Sequence, residues 1–191
     1  MAVTLSSGPG VEPITLAEAK SHLRVDTTDD DTLITSLILG ARHFIENYTG
    51  RQIIQATWVL KRKGFFTELY LPKAPLSSVS SIQYIDGDGA TQTLAASTYT
   101  VDADSNPGRI VLAYLQNWPT VRDEIHNVTI TFVSGYGTAT TDVPEPIRQA
   151  MRLLVAHFYE TREPYIIGTS AGAVPFAVES LLWQYKVPEY A

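Results

Sequence analysis

The sequence contains no cysteine among its 191 residues. Disulfide bonds, thiolate metal sites and a thiol nucleophile are therefore excluded. The start of the chain lacks a basic segment followed by a long apolar run, so we expect neither a signal peptide nor a membrane span. Hydrophobic residues make up 45% and charged residues 18% of the chain, which is typical of a protein that folds around a core.

A basic stripe of the kind that grips nucleic acid is also missing. The chain has 14 Lys and Arg against 20 Asp and Glu, which gives a formal net charge of −6. The short basic cluster Lys61-Arg62-Lys63 is typical of a solvated strand end. Since phosphate contacts need concentrated positive charge, we expect no sequence-specific binding to DNA or RNA.

The hydrophobic pattern changes twice along the chain. Residues 14–48 have helical spacing, residues 53–133 contain short alternating runs, and residues 144–186 return to helical spacing. We therefore predict an α+β fold, with a helical core of two main helices plus short terminal helices and an inserted, mostly antiparallel β-sheet. The predicted division is an N-terminal helical part (1–50), a β-rich region (51–140) and a C-terminal helical part (141–191).

Two helices are predicted in the N-terminal part. Thr15-Leu16-Ala17-Glu18 has the spacing of a capping box, which starts a short helix. Asp29, Asp30 and Asp31 then favour the start of a longer helix, because carboxylates cap its first turn and interact well with the positive end of its dipole. Gly50 is placed to end it. Its predicted buried face consists of Leu33, Ile34, Leu37, Ile38, Ala41, Phe44, Ile45 and Tyr48.

Strands are predicted in the middle of the chain and helices near its end. The alternating runs are at 57–60, 68–71, 80–85, 98–101, 109–113 and 128–132. Turn signals lie between them at 86–89 and 106–108. Pro144 and Pro146 mark the start of the second main helix, and Pro175 marks the start of a short amphipathic helix.

One motif points to an enzyme. Gly168-Thr169-Ser170-Ala171-Gly172 matches the G-x-S-x-G pattern of a serine nucleophile elbow. Such a serine needs an acid and a histidine that follow it in the chain, but no Asp or His follows Ser170. A linker of small residues over 168–173 is the simpler interpretation, and a small serine hydrolase using Ser170 is kept as an alternative.

The candidate metal sites are weak. Asp102, Asp104 and Asn106 resemble the first half of a calcium loop, but the remaining ligand positions do not fit, and a β-turn explains the same residues. His157 and Glu160 share a helix face without a third ligand. We therefore predict no metal site and no cofactor.

The C-terminal segment concentrates aromatic and leucine side chains. These residues are Leu181, Leu182, Trp183, Tyr185 and Tyr190. Such side chains either cover the core of the domain or act as anchors at an interface, and the sequence pattern fits both interpretations.

The N-terminal motif resembles a known family. Residues 14–25, ITLAEAKSHLRV, are similar to the start of the head–tail connector (adaptor) proteins of tailed phages, in which T-L-x-E-A-K-x-H-L-R precedes an acidic run. A helix rich in Leu, Ile and Ala then ends near T-G-R, as it does here at Thr49-Gly50-Arg51. Residues 143–150 and 174–186 resemble the second main helix and the closing helix of the family.

This resemblance implies a structural, non-enzymatic virion protein, of a kind also found in gene transfer particles, that is made in the host cytoplasm. Such connectors form a ring, usually a dodecamer, below the portal protein, and extend the DNA channel to the next neck or tail protein. It also implies that a C-terminal docking tail binds the portal, with Leu181, Leu182, Trp183, Tyr185 and Tyr190 as candidate contacts. Another neck or tail-completion protein is the structural alternative.

Overall fold

The computed structural model describes residues 1–161 and 176–188. This part of the chain is mixed α+β with antiparallel sheets, which confirms the predicted fold class at this level. Its helices are α1 (Leu16–Leu23), α2 (Asp31–Thr49), α3 (Glu145–Glu160) and α4 (Phe176–Leu182). Its strands are β1 (Ala2–Ser7), β2 (Ala56–Arg62), β3 (Glu68–Tyr70), β4 (Leu76–Ile85), β5 (Thr91–Thr93), β6 (Tyr99–Asp102), β7 (Arg109–Leu112) and β8 (Val128–Ser134).

The chain forms two compact units. The sheet unit consists of Met1–Pro9 and Gln55–Tyr136, and the helical unit consists of Gly10–Ile54 and Gly137–Ala191. The expected β-rich region (51–140) is shorter here, since residues 51–54 and 137–140 belong to the helical unit. The division also differs from the expected one in the first nine residues, which belong to the sheet unit. They do so because β1 pairs with β2 and because Val3 packs against the core of the sheet.

The sheet unit contains two antiparallel sheets. The larger sheet has the strand order β1-β2-β8-β4-β5, and the smaller one has the order β3-β7-β6. Leu60, Ile130 and Ile82 lie side by side on the three central strands of the larger sheet, and all three are fully buried. These aligned β-branched and leucine side chains form the centre of the core of the unit.

Both predicted turns are confirmed. Asp86 lies at the start of the β4–β5 turn, where its Oδ1 accepts hydrogen bonds from the backbone N–H groups of Asp88 at 3.1 Å and Ala90 at 2.9 Å. These bonds lower the pKa of Asp86, and the largest contribution comes from the Gln92 side chain. Gly108, between β6 and β7, lies so close to Leu76 that an added Cβ would be 2.5 Å from the Leu76 Cβ.

Six strands were predicted and all six are present, but β1 and β5 were not predicted. Strand β5 reads Thr-Gln-Thr and all three of its residues are exposed, so it has no apolar alternation to detect. In β1 the last four residues are exposed. Both are edge strands, which bury too little to leave a pattern in the sequence.

The helical unit begins with the predicted capping box. The Glu18 N–H donates to Thr15 Oγ1 at 3.2 Å, and the Thr15 N–H donates to Glu18 Oε2 at 2.8 Å. Helix α2 ends as predicted at Gly50, whose φ of 71° lies in the left-handed region that glycine adopts without strain.

The aspartates before α2 act differently from the prediction. Asp30 occupies the N-cap position, but its side chain makes no capping hydrogen bond. Instead, its Oδ2 accepts a hydrogen bond from the Tyr159 hydroxyl on α3, and Asp31 pairs with Lys20 of α1 at 2.6 Å. The carboxylates therefore connect α2 to its two neighbouring helices rather than closing its first turn.

The core of the helical unit lies between α2, α3 and α4. Helix α2 packs against α3, α4 packs against α3, and α1 contacts both α2 and α3. On α2 the expected face is the inner one: Ile34, Ile38, Ala41 and Ile45 are buried, and Leu33, Leu37, Phe44 and Tyr48 are half-buried. The buried apolar side chains of α3 and α4 are Ile147, Ala150, Met151, Leu154, Val155, Val178 and Leu182. Among the described residues, no helix is long and apolar enough to cross a membrane.

Candidate functional site

The C-terminal segment, residues 176–188, is fixed to the end of α2 by main-chain contacts. The Arg51 Nε donates to the Tyr185 carbonyl oxygen at 2.5 Å, and the Val187 N–H donates to the Thr49 carbonyl oxygen at 2.8 Å. Lys186 places its ammonium group 5.5 Å from the centre of the Tyr48 ring. Helix α4 is therefore held by its packing on α3, and the residues that follow it are held by these contacts with the end of α2.

The five predicted site residues have different environments. Leu182 is fully buried and belongs to the core, whereas Trp183 is 72% exposed. Leu181 and Tyr185 are half-buried, and Tyr190 lies outside the described residues. Leu182 thus fits the first of the two interpretations, a residue that covers the core, whereas the exposed Trp183 remains available for the second, an anchor at an interface.

Phe176 is an exposed aromatic residue that the sequence analysis did not select. It is 84% exposed and precedes Trp183 by seven positions. Helix α4 ends at Leu182, and Trp183 is the first residue of the 3₁₀ turn that follows it. The two exposed rings therefore lie at the two ends of α4, and the small residues Ala177 and Ser180 between them are also exposed. We call Phe176 and Trp183 the aromatic stripe.

A shallow groove lies beside Trp183. It is lined by Trp183, Lys186, Val187 and Pro188. The exposed indole therefore stands next to a small concave surface that has both an apolar wall and a cationic group. This arrangement suits recognition of a protein surface, where aromatic anchors gain most from desolvation.

The residues of the N-terminal motif hold α1 to α3 through an ion-pair network. Arg148 of α3 pairs with Glu18, pairs with Glu145 at 2.9 Å, and donates to the Pro13 carbonyl oxygen at 3.3 Å. Arg152 pairs with Glu145 at 2.7 Å. The pKa of Glu18 lies below its usual range, mainly because of the hydrogen bond from the Thr15 backbone and also because of Arg148. The motif therefore has a structural role in this fold.

A second polar cluster is buried at the end of α2. Glu46 accepts hydrogen bonds from Gln52 Nε2 at 2.7 Å and from the Ile53 N–H at 3.3 Å, and it pairs with Arg42 at 3.1 Å. Arg42 also pairs with Glu12 at 2.8 Å. Burial raises the pKa of Glu46, although Arg42 acts in the opposite direction. The cluster therefore provides hydrogen-bond partners for buried backbone groups where the chain leaves α2.

The candidate calcium loop is a bend between β6 and β7 in which Asp102 bonds its own neighbours, as in the simpler interpretation. Asp102 Oδ2 accepts hydrogen bonds from Ser105 Oγ at 2.7 Å and Arg109 Nε at 2.9 Å. The hydrogen bond from the Ser105 hydroxyl makes the largest contribution to lowering the pKa of the Asp102 carboxyl, and the hydrogen bond from Arg109 makes the next largest. Over residues 1–161 and 176–188, no three His, Asp or Glu side chains are grouped as metal ligands. Ser170 and its G-x-S-x-G motif lie outside the described residues.

The sheet unit has its own exposed apolar residues, on the loop between β7 and β8. Tyr114, Leu115 and Ile125 are 88%, 81% and 78% exposed. The same loop is anchored by Trp118, whose ring stacks on Phe65 with centroids 4.6 Å apart. The loop is therefore a packed element that displays large side chains, and nothing in the sequence pattern had indicated it.

Comparison with known proteins identifies the family. The sequence profile of the head completion protein family matches residues 12–170. Comparison with curated protein sequences gives no significant match.

Three solved structures are similar over the whole chain. A chain of the neck of an empty gene transfer agent particle, computed with C6 symmetry, has a TM-score of 0.83 and 24% identity. A chain of the neck of the native gene transfer agent particle, computed with C12 symmetry, has a TM-score of 0.81 and 24% sequence identity. A chain of the virion of the native particle has a TM-score of 0.80 and 23% sequence identity. Each match covers 100% of this chain and 98% of the other. Since the family profile spans most of the sequence, the chain belongs to the head completion protein family, which confirms its resemblance to head–tail connector proteins and identifies it as a structural virion protein.

Proposed function

We propose that this chain assembles as a ring in the neck of a phage-like particle, between the portal protein and the next neck or tail protein. Support comes mainly from the similarity over the whole chain to neck proteins of gene transfer agent particles, two of them from necks computed with C6 and C12 symmetry. In this role the two units act together as a connector, with α2 and α3 as the helical core and the sheets as the inserted part. A dodecameric ring fits the C12 symmetry.

The charge of the chain fits a channel that DNA must cross. With a net charge of −6 and no basic stripe, the protein offers few sites for phosphate groups. A ring built from such subunits lets the genome pass without holding it. We therefore expect the contacts with DNA to be independent of sequence.

The position in the particle is tested by a cryo-EM map of assembled particles that carry this chain. A ring of density directly below the portal is expected. Density further along the neck, or at the tail, would assign the chain to the alternative group of neck or tail-completion proteins. If the gene for this chain is deleted from the genome that produces the particles, DNA-filled heads without attached tails should accumulate.

The C-terminal segment is the proposed docking element for the portal. Its exposed contacts are the aromatic stripe, Phe176 and Trp183. The half-buried Leu181 and Tyr185 are further candidates, as is Tyr190, which lies outside the described residues. Leu182 acts indirectly, because its buried side chain fixes α4 on the helical core. Aromatic residues that become desolvated at an interface contribute most of its binding energy, which makes the stripe the main anchor.

Point substitutions test docking better than deletion of the segment, because deletion would expose the core around Val178 and Leu182. Phe176→Ala and Trp183→Ala should each weaken binding to the portal by about tenfold or more, with unchanged melting temperature. Leu39→Ala, at a 42% exposed site on α2, is the matched control and should bind normally. Portal affinity unchanged in both aromatic variants would disprove the docking role, and a steep loss of wild-type affinity with salt would favour charge steering instead.

The hydrolase alternative has a separate test. A Ser170→Ala variant should assemble into particles as the wild type does, because no assembly contact is assigned to Ser170. If purified wild-type protein hydrolysed an ester substrate and Ser170→Ala abolished that hydrolysis, the serine would be a nucleophile.

A further inference from the structure

Strand β1 is an unprotected edge of the five-stranded sheet. Its sequence, Ala-Val-Thr-Leu-Ser-Ser, contains no charged residue and no proline, and its pairing with β2 is regular from Ala2 to Leu5. No strand within the described residues covers its outer side. Edge strands usually carry a lysine, a proline or a covering element, because their free N–H and C=O groups pair readily with another strand.

Strand β5 forms the opposite edge and is also uncharged. It reads Thr-Gln-Thr, all three residues are exposed, and no described strand covers its outer side. Each neighbouring pair in the order β1-β2-β8-β4-β5 is antiparallel, so β1 and β5 point in the same direction. Copies related by rotation about a ring axis keep their strand direction, so β1 of one copy meets β5 of the next as a parallel pair.

The charges at the two edges are complementary. Ala2, at the start of β1, pairs with Lys61, so the exposed Lys61 lies at that end of the sheet, whereas Lys63 nearby is already paired with Asp123 at 2.6 Å. The turn that carries Asp86 and the exposed Asp88 directly precedes β5. A parallel β1–β5 contact therefore brings the basic end of one copy towards the acidic turn of its neighbour, which favours this direction of pairing.

From these three observations we infer that neighbouring copies of this chain join edge to edge through the larger sheet, with β1 of one copy adding to β5 of the next. The contact joins two different surfaces of the same chain, which is the type of interface that generates a ring. Backbone hydrogen bonds supply the attraction, as they do where a strand is added to a free sheet edge. This inference rests on the proposed ring and specifies one contact within it.

The register of the sheet defines a matched pair of cysteine variants. Thr4 lies opposite Val59 and Leu5 lies opposite Trp58, so Thr4 and Leu5 project from opposite faces. Following the pairing across the sheet places Thr4 on the same face as Thr91 and Thr93. Adjacent strands lie about 4.8 Å apart, which is within the Cα separation that a disulfide spans.

Disulfide cross-linking in assembled particles tests the contact, because the natural chain has no cysteine to interfere. The variant Thr4→Cys/Thr93→Cys, or Thr4→Cys/Thr91→Cys if the register is shifted, should give a ladder of linked chains on a non-reducing gel. The control Leu5→Cys/Thr93→Cys should give none, since its thiols face opposite sides. All of these positions are exposed, so the variants should fold.

Two results would overturn the inference. One is a ring visible in the particles without any ladder from either double variant. The other is a covalent dimer from Thr4→Cys alone, which would mean that β1 pairs with itself about a two-fold axis. Particles without any ring of this chain would instead refute the proposed function, and the edge contact with it.

Discussion

Arg51 donates a hydrogen bond from its Nε to the main-chain oxygen of Tyr185, a residue 134 positions later in the chain. Arg51 is the last residue of the T-G-R triplet that resembles connector proteins, and Thr49 of the same triplet accepts a hydrogen bond from the Val187 N–H. The triplet thus ends α2 and also receives the C-terminal segment. A pattern first read as a helix end is the attachment point of the proposed docking element.

Loss of the Arg51 side chain should loosen residues 176–188. Removing a charged donor from a partly buried hydrogen bond costs about 1.5–3 kcal/mol, so Arg51→Ala should lower the melting temperature of the protein. Hydrogen exchange should accelerate mainly at the amide of Val187 and along α4. Arg51→Lys keeps the charge without the planar guanidinium, so an intermediate result is expected. Unchanged exchange in both variants would show that α3 packing alone holds the segment.

A charge in the helical core should unfold the helical unit. Ile38 is 2% exposed on the face of α2 that packs against α3, so Ile38→Asp places an unpaired carboxylate in the core. Far-UV circular dichroism should show loss of helix or a much lower melting temperature. Leu39→Asp, at the next residue but 42% exposed, is the control and should be tolerated. Equal stability of the two variants would contradict the packing of α2.

Gly108 lies so close to Leu76 that any side chain at position 108 should destabilise the protein. Gly108→Ala places a Cβ 2.5 Å from the Leu76 Cβ, and relieving this overlap costs about 1–3 kcal/mol. Gly87→Ala is the control, because no atom lies within 4 Å of its added Cβ. Urea unfolding should show a lower midpoint for Gly108→Ala only.

Acidification should reveal the contribution of Glu18. Its pKa is lowered in the folded protein, so its stabilising effect is present above the ordinary glutamate pKa and is lost as the pH falls through the folded value. At neutral pH, Glu18→Gln keeps an oxygen that can accept from the Thr15 N–H but loses the charge that faces Arg148 and the start of α1, so the variant should be less stable by about 0.3–1 kcal/mol. Below the ordinary glutamate pKa the difference between the two proteins should shrink. Thermal melts across this pH range measure the difference in stability between the two proteins. A difference that stays constant with pH would contradict a lowered pKa of Glu18 in the folded protein.

The sequence predicts features that depend on neighbouring residues along the chain. The capping box of Thr15 and Glu18, the helix end at Gly50 and the turn at Asp86 were all predicted, because each is fixed within a few residues. The partners of Asp30 and Asp31 were not predicted. Tyr159 and Lys20 reach these aspartates only after the helices have packed, and local pattern carries no information about such contacts.

The sequence also could not predict which residues of the C-terminal segment are buried and which are exposed. Leu181, Leu182, Trp183 and Tyr185 form one apolar cluster in the sequence, but α3 covers Leu182 and leaves Trp183 in solvent. Phe176 was missed for the complementary reason, since a single aromatic residue at the start of a helix shows its significance only once its exposure is known.

The chain path is interleaved, so each unit is built from two segments that lie far apart in the sequence. Strand β1 is synthesised first, but β2 begins at Ala56, and the central strand β8 begins only at Val128. The helical unit likewise contains α1 and α2 early in the chain but needs α3 to cover them and α4 to cover α3. A ribosome that stops before β8 therefore releases chains without a finished sheet, and these lack the proposed contact between neighbouring copies. A ribosome that stops between β8 and α4 releases chains that have the sheet but lack the aromatic stripe, so such copies can join the proposed ring without being able to dock on the portal.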